Sequence, residues 1–337
     1  MQSDKQKWEI ALYGRRFFHL RNFTLSIFEV ELLLKEDVSL PPFKGSAFRG
    51  GLAWGVKKAS CTEGKKSCSG CSSSNTCAYS YLFESCLDCE VRTKEIPRPY
   101  LLQLTDGGKV NYFAGETLNF RLVLIGKAVK TLPFILLGLD HFSVLGLGAK
   151  RAAFAMKGVL AINPLTGEKK PVYTPSDGYK DNIFVLSGVE ILKSAGFDFS
   201  SLTGKKRIEL EFLTPTRLAE KGELVKKPSL GSIARAALRR LSFLTRYYGE
   251  GDFQTDFKTL VTAAEKATLI RENLKWVELK RYSNRRGMHL FISGFVGLAE
   301  YEGEIGELLP YLYLARFCHI GKGTVYGLGA YSLKLVM

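Results

Sequence analysis

The 337-residue sequence is poor in histidine, with four, at positions 19, 141, 289 and 319. Few side chains are therefore suited to proton transfer near neutral pH. No Asp and Glu cluster suggests the two-metal arrangement, which disfavours a nuclease built around two metal ions. Negative charge is short overall: 33 Asp and Glu face 48 Lys and Arg, for a formal charge of +15 and an isoelectric point near 9.4. That balance favours nucleic acid or another anionic surface as partner, although a solvated basic surface without a specific partner gives the same count. No apolar run approaches the ~20 residues that span a bilayer, the longest candidate being interrupted at Pro133 and Gly138, so no membrane partner is expected. No signal-peptide core follows the polar opening 1–7. A cytoplasmic protein is expected, whose seven cysteines are reduced thiols or metal ligands.

Glycine is concentrated near the end of the chain, in Ile320-Gly321-Lys322-Gly323-Thr324-Val325-Tyr326-Gly327-Leu328-Gly329-Ala330-Tyr331. Such a loop reaches left-handed conformations and keeps side chains from holding a polyanion away from backbone amides. Lys322 adds charge, and Tyr326 and Tyr331 offer faces on which bases stack. A dinucleotide fingerprint or a Walker loop must follow a strand and open a helix. Here an apolar helical run precedes the loop and a strand over 332–336 follows it, so both nucleotide readings are disfavoured. A loop that only needs tight turns remains the simpler alternative.

These residues resemble the C-terminal glycine-rich signature of the CRISPR-associated endoribonucleases that cut precursor CRISPR RNA, members of the RAMP superfamily. Arg281-Tyr282-Ser283-Asn284-Arg285-Arg286, Gly294-Phe295-Val296-Gly297 and Leu309-Pro310 occur in the same order as in that family, so the resemblance spans about 276–331. Lys44-Gly45-Ser46-Ala47-Phe48-Arg49-Gly50 is similar to the helix opening of RAMP proteins generally, including subunits that bind RNA without cutting it. The resemblance implies two ferredoxin-like domains, binding of CRISPR repeat RNA and possible association with effector-complex subunits.

Six cysteines fall within 29 residues: Cys61, Cys68, Cys71, Cys77, Cys86 and Cys89. Two Cys-x2-Cys pairs favour a metal, because the short turn aims both sulfurs at one ion; Zn²⁺ is expected, with an iron–sulfur cluster as runner-up. Spacing leaves open which four ligate. A repeat-processing subfamily is similar here, with a cysteine cluster before a Tyr-x-x-Leu-Phe-Glu segment (Tyr79 to Glu84 in this chain), and that resemblance selects Cys61, Cys68, Cys71 and Cys77. The metal is expected to replace a missing apolar core rather than to do chemistry.

Hydrophobic periodicity orders the second half as strand 207–213, helix 229–248, helix 257–274, strands 276–282 and 289–299, helix 305–318 and the final strand. The first half reads as strand 24–34, a helix from 43, strands up to 104 and over 117–125, a helix from 131 and a strand over 152–162. The fold class is therefore α+β: two tandem ferredoxin-like (RRM-like) βαββαβ domains with a cysteine-rich metal-binding insert in the first. The pattern supports this directly for the second half, and the resemblance completes the first. The expected domains are 1–162, with the insert over 60–90, and 205–337, joined by a Pro-, Gly- and Ser-rich linker over 163–204. Leu145-Gly146-Leu147-Gly148 echoes Tyr326-Gly327-Leu328-Gly329, which reads as an internal duplication.

RNA is cut without a metal when a base activates a 2′-hydroxyl, an acid protonates the leaving 5′-oxygen and cations steady the developing charge. His289 follows Arg285 and Arg286, and His319 directly precedes the glycine-rich loop. His19 lies among Arg15, Arg16 and Arg21, and His141 reads as a packing or surface residue. The catalytic candidates are thus His289, His319 and His19. Family members often carry a histidine at the first helix. This chain has none between Lys35 and Leu139, so the site has moved, Lys44 and Arg49 replace it, or the protein binds without cutting.

Candidate RNA contacts are Arg281, Arg285, Arg286, Gly321, Lys322, Gly323, Tyr326, Gly327 and Gly329, together with Lys150, Arg151, Arg235 and Arg239. The leading function is metal-independent cleavage of precursor crRNA leaving a 2′,3′-cyclic phosphate, with no cofactor for catalysis. The alternative is a noncatalytic RNA-binding RAMP subunit of an effector complex. A zinc-containing duplex-DNA binder is disfavoured, since no helix-turn-helix or finger spacing appears.

Overall fold

The computed structural model describes residues 17–64, 68, 70–84, 96–104, 106–198, 202–283 and 288–336. The chain divides into two compact units, one of Leu25–Val185, the other of Leu186 onward together with the described residues up to Thr24.

In the first unit a run of alternating apolar residues forms β1 (Thr24–Leu34), with Val30, Leu32 and Leu34 buried and Glu29 and Glu31 half-buried between them. Helices α1 (Gly45–Ser60) and α2 (Ala78–Phe83) follow, then β2 (Tyr100–Leu104), β3 (Thr117–Ile125), α3 (Leu132–Leu145), β4 (Phe154–Ile162) and β5 (Lys169–Thr174). The sheet runs β2-β3-β1-β4-β5 and is extended by the short strand Gly178–Tyr179. β1 pairs antiparallel with β3 from Leu25↔Ile125 to Leu33↔Thr117 and with β4 on its other side, with one irregularity at Glu31/Leu32. Chain order β-α-β-β-α-β with the first strand central is the ferredoxin-like arrangement.

Helices α1 and α3 meet through glycine. A Cβ on Gly55 would lie 1.9 Å from the Gly138 carbonyl oxygen, and one on Gly51 would lie 2.0 Å from the Phe142 ring. This contact corrects the reading of the apolar run around Pro133. Gly126–Leu145 is helical throughout and is long and apolar enough, by length and composition, to cross a membrane. Pro133 does not interrupt it because it sits in the first turn of α3, where its missing N–H costs nothing. Gly138 does not break it because the glycine is where α1 packs. Ile135, Leu136, Leu139 and Phe142 are buried, so one face of the segment serves as core.

The second unit contains α4 (Gly188–Ser194), β6 (Lys206–Thr216), α5 (Leu230–Tyr248), α6 (Phe257–Glu265) and β7 (Thr268–Val277). A hairpin of β8 (Lys280–Ser283) and β9 (Met288–Phe291) comes next, followed by β10 (Gly294–Gly303), α7 (Leu309–Cys318) and β11 (Tyr331–Val336). Its sheet order, β7-β10-β6-β11, repeats the topology of the first unit. Ser229 starts α5 by accepting the Ser232 amide on its side chain, and Ile233, Ala237, Leu241 and Leu244 form the buried stripe expected from their spacing.

Two boundaries differ from the sequence reading. The second helix stops at Glu265, and Thr268–Val277 pairs with β10 as an edge strand. No residue of that strand is fully buried; Glu272, Leu274 and Trp276 alternate as half-buried positions, but with a glutamate among them the apolar period is weak and the pairing is set by the neighbour. The segment read as a linker over 163–204 holds β5, which completes the first sheet, and α4, whose capping box at Ser187 and Glu190 opens the second unit. Of the expected insert 60–90, residues 65–67, 69 and 85–90 lie outside the described residues, Cys86 and Cys89 among them.

Replacing Gly55 by Ala places a methyl group against the backbone of α3. Urea unfolding should show a loss on the order of 3 kcal/mol, at the upper end of overpacking costs because a carbonyl cannot rotate away. Gly50→Ala, with nothing within 4 Å of the added Cβ, is the matched control and should leave stability level or raise it slightly.

Candidate nucleic-acid interface

The end of α7 is buried, so its last carbonyls need partners other than water. Arg240 of α5 supplies one: its Nε donates to the Cys318 carbonyl oxygen at 2.6 Å. Burial pushes the Arg240 guanidinium below its ordinary value, and its Nη2 has no hydrogen-bond partner. Burial also pushes the Cys318 thiol up to about 11, so it stays protonated. His319 follows at φ 58°, ψ 167°, a region otherwise occupied by glycine. The equivalent position after α3 is Gly146, at φ 79° and ψ 167°. The turn after the last helix is therefore built by glycine in one unit and by histidine in the other, so Gly146 corresponds in position to His319 and not to Gly327 as the sequence echo suggested.

His319 is fully buried, and its Nδ1–H donates to the Leu328 carbonyl at 3.0 Å. Burial and, to a lesser extent, the Arg240 charge lower its pKa to about 4. The imidazole is thus neutral and points into the unit, where it holds the far end of the glycine-rich loop. Proton transfer to RNA, expected of His319 from the sequence, would need the ring to reach solvent, and among the described residues the ring is fully enclosed.

Gly321, Gly323, Gly327 and Gly329 all have positive φ, as the sequence implies, but the close approach they permit is to the chain itself. A Cβ on Gly329 would lie 1.8 Å from the Ile320 carbonyl oxygen, and one on Gly321 would lie 2.5 Å from that of Arg217. The loop is laced to the end of β6: Lys322 N–H donates to Arg217 O at 2.9 Å, Gly329 N–H to Pro215 O at 3.2 Å, and Thr214 Oγ1 to Gly327 O at 2.9 Å. Lys322 is exposed at its crest and Tyr326 is half-buried. Tyr331, by contrast, is buried with its hydroxyl donating to Leu312 O, so it offers no stacking face.

Arg217, absent from the sequence reading, ties two expected contact regions together. Its carbonyl holds the loop at Lys322, and its Nη1 donates to Phe291 O at 2.9 Å at the end of the β8–β9 hairpin. Arg281 lies opposite Leu290 in that hairpin and His289 opposite Tyr282. Arg285 and Arg286 lie outside the described residues. Arg235 is committed to ion pairs with Glu220 and Glu265, whereas Arg239 is exposed over the Phe243 ring at 5.4 Å.

His19 is buried in the second unit, beside a cavity of about 500 Å³ that Arg21, Asp252, Asp256 and Glu307 also line. Its Nε2 lies 3.4 Å from the Tyr311 hydroxyl, which in turn is 2.7 Å from Thr255 Oγ1. His19, Tyr311 and Thr255 thus form a hydrogen-bonded chain reaching an open cavity, which proton transfer requires.

In the first unit Lys150 and Arg151 are exposed in the turn after α3, away from any ion pair among the described residues. Lys44, considered as a stand-in for the missing histidine, is fully buried and 2.8 Å from Asp106 Oδ2. Burial would raise the Asp106 carboxyl, but hydrogen bonds from Lys44 and Tyr112 outweigh it and hold the group below the usual carboxylate range. Lys44 therefore anchors the start of α1. Arg49 lies with its guanidinium 5.3 Å from the Phe83 ring centre.

Cys61, Cys68, Cys71 and Cys77 are half-buried thiols. Cys71 N–H donates to Cys68 O at 3.2 Å, the turn that a Cys-x2-Cys knuckle needs. Burial and the Glu84 charge push the Cys68 thiol up, and the Cys77 and Cys71 thiols add to the effect. Among the described residues no three donors converge on one point with metal-binding geometry.

Residues 210–331 match the family model described as CRISPR-associated endoribonuclease Cas6, and residues 23–183 match one described as an N-terminal domain. The chain is similar to an uncharacterized protein of Archaeoglobus fulgidus, 29% identical over 301 residues, 88% of this chain and 93% of that one. Among solved structures it is similar to a Cas6 product complex, with TM-score 0.57 and 17% identity, covering 92% of this chain and 99% of the other. Thermus thermophilus Cas6 matches with TM-score 0.52 and 16% identity, over 93% and 99%. A partial Cas6-RT-Cas1–Cas2 complex matches with TM-score 0.59 and 13% identity, over 94% of this chain and 46% of that one. At these identities the structural likeness speaks to fold, and it agrees with two tandem ferredoxin-like units.

The His319 environment sets a pH dependence of stability. Its folded pKa of about 4 lies below the free value of 6.5, so between those limits only the unfolded chain takes up the proton. Stability should be unaffected by this group above pH 6.5 and fall by about 3 kcal/mol as the pH drops to 4. In His319→Asn, which keeps a donor and tolerates positive φ, denaturant titrations should lack that part of the slope.

Proposed function

We propose, from the match of residues 210–331 to the Cas6 family model, that this chain is a RAMP-type protein that binds CRISPR repeat RNA and cleaves precursor crRNA. The match covers the segment in which Arg217 joins the glycine-rich loop to the basic hairpin, and that single coincidence of family and geometry supports the reading most. The cut proceeds by attack of a 2′-hydroxyl on the adjacent phosphorus, without a metal, and leaves a 2′,3′-cyclic phosphate. His289, on the hairpin, is the first candidate for proton transfer. His19, with Tyr311 and Thr255 behind it, is the second. Lys322 and Arg281 supply cationic stabilisation. Effector-complex subunits are the expected protein partners, and the protein works in the cytoplasm.

One observation favours the alternative, a noncatalytic RNA-binding subunit: His319 is sealed inside the unit and Lys44 is locked in an ion pair, so two groups that the chain offers for chemistry are spent on structure. Repeat RNA incubated with the protein in EDTA separates the readings. Cleavage with a cyclic phosphate end is the expected result, and His289→Ala should slow single-turnover cutting by on the order of 10² while affinity stays within a few-fold. An intact wild-type reaction would establish the noncatalytic role. Equal rates in wild type and His289→Ala would move the search to His19.

Cys61, Cys68, Cys71 and Cys77 are assigned to one structural Zn²⁺. The Cys68–Cys71 turn supports this set, and the ion would fix a loop that buries little apolar surface. Elemental analysis of protein purified without added metal should find about one zinc per chain. Neither zinc nor iron above background would remove the assignment.

A further inference from the structure

Helices α5 and α7 pack side by side in the second unit, and the Arg240 contact to the Cys318 carbonyl joins them. Each helix also carries a row of arginine and aromatic side chains that are not fully buried, although Tyr313 already packs edge-on against Phe197, with ring centres 5.1 Å apart. On α5 the Arg239 guanidinium lies 5.4 Å from the Phe243 ring centre, and Phe243 meets Tyr247 at 6.1 Å. On α7 the Arg316 guanidinium lies 4.3 Å from Tyr313 and 5.8 Å from Phe317, and the two rings are 6.2 Å apart. The spacing of three and four residues puts each row on one side of its helix. Arg239 is exposed, and the rings and Arg316 are half-buried, while Leu238, Leu241, Leu312 and Leu314 take the buried sides.

Charge identifies what such a face receives. Arg235, one turn earlier on α5, is neutralised by Glu220 and Glu265. Arg239 and Arg316 pair with no carboxylate among the described residues. An arginine held against a ring by its own helix keeps its charge outward and its plane fixed, so little further ordering is needed when a flat, anionic ligand arrives. Alternating rings and unneutralised guanidinium groups suit a chain that alternates bases and phosphates. A duplex hides its base faces, so only an unpaired strand can use both components.

We propose that the outward sides of α5 and α7 form a second RNA-contact surface, which takes unpaired RNA by stacking on Phe243 and Phe317 and by phosphate contacts to Arg239 and Arg316. It is distinct from the glycine-rich loop and the hairpin. It gives this protein a place for single-stranded sequence beyond the segment recognised there. The inference rests on the RNA-binding reading and extends it to a substrate class, unstructured RNA.

Fluorescence anisotropy with the full chain tests it, using an unstructured oligouridylate of about 12 nucleotides, within the span of small single-strand-binding folds, and a perfect RNA duplex as the comparison. Wild type should prefer the single strand. Arg239→Ala/Arg316→Ala and Phe243→Leu/Phe317→Leu should each weaken that binding by about tenfold or more. The leucine pair keeps apolar bulk, and matched thermal melts identify any variant that has lost its fold. Losses confined to the arginine pair would overturn the stacking claim, and equal affinity for duplex would overturn the preference for unpaired RNA. Unchanged affinity in both folded variants would overturn the proposal and leave the face to an acidic protein partner. Binding of repeat RNA by the same variants keeps the two readings apart: a protein that binds repeat but not oligouridylate refutes the second surface alone, and one that binds neither refutes the RNA reading itself.

Discussion

The C-terminal end of α7 must be satisfied away from water, and the arrangement of the second unit follows from how this is done. A buried unpaired carbonyl costs roughly 1–3 kcal/mol. Arg240 reaches across from α5 to the Cys318 carbonyl, and His319 turns back to hold Leu328. Because those two bonds fix where α7 stops and where the glycine-rich loop ends, they also fix the path between: Gly321 and Gly329 press against main-chain oxygens, and β6 receives the loop through Thr214, Pro215 and Arg217. The histidine stands in a backbone conformation that the first unit gives to Gly146, which shows that the side-chain bond outweighs the strain.

This use of the loop changes what its glycines mean for RNA. Their missing side chains allow the protein to approach itself, and the loop is thereby presented as a rigid crest with Lys322 outermost. A pre-ordered crest loses little entropy on binding. The same strut, Arg217, ends on the hairpin that bears Arg281 and His289, so displacement of one would be felt by the other. In the proposed reading, chemistry and grip are then supplied by neighbouring elements of one unit.

Much of this was legible in the residues. Period-2 and period-3.6 patterns placed β1, β3, α5 and β6 within a few residues because each buries one regular face. The cysteine spacing found the Cys68–Cys71 turn. Arg240 was missed, yet it sits three residues after Ala237 and four before Leu244 on the buried stripe of α5, and a lone charge in that register is the signal of an interior contact. Arg217 left no such signal, since its importance lies in two backbone contacts and not in its type. Most of the strand Thr268–Val277 falls within the helix expected over 257–274, because no residue of this edge strand is fully buried and its half-buried positions include Glu272, so apolar periodicity does not reveal it.

The sequence by itself determined the second ferredoxin-like unit, the basic character and the glycine-rich turn, because local periodicity, net charge and the φ preferences of glycine act over a few residues and need no knowledge of distant partners; the first unit needed the family resemblance as well. Only the tertiary structure decided the role of each polar group. His319 and Lys44 read in the chain as candidates for chemistry, but packing enclosed both, and the carbonyl of Leu328 and the carboxylate of Asp106 became their partners. His19, remote in sequence, was brought onto Tyr311 and an open cavity. Whether a titratable side chain meets solvent or a buried partner depends on residues far away along the chain, and desolvation, which sets its charge and reach, exists only once those residues have come together.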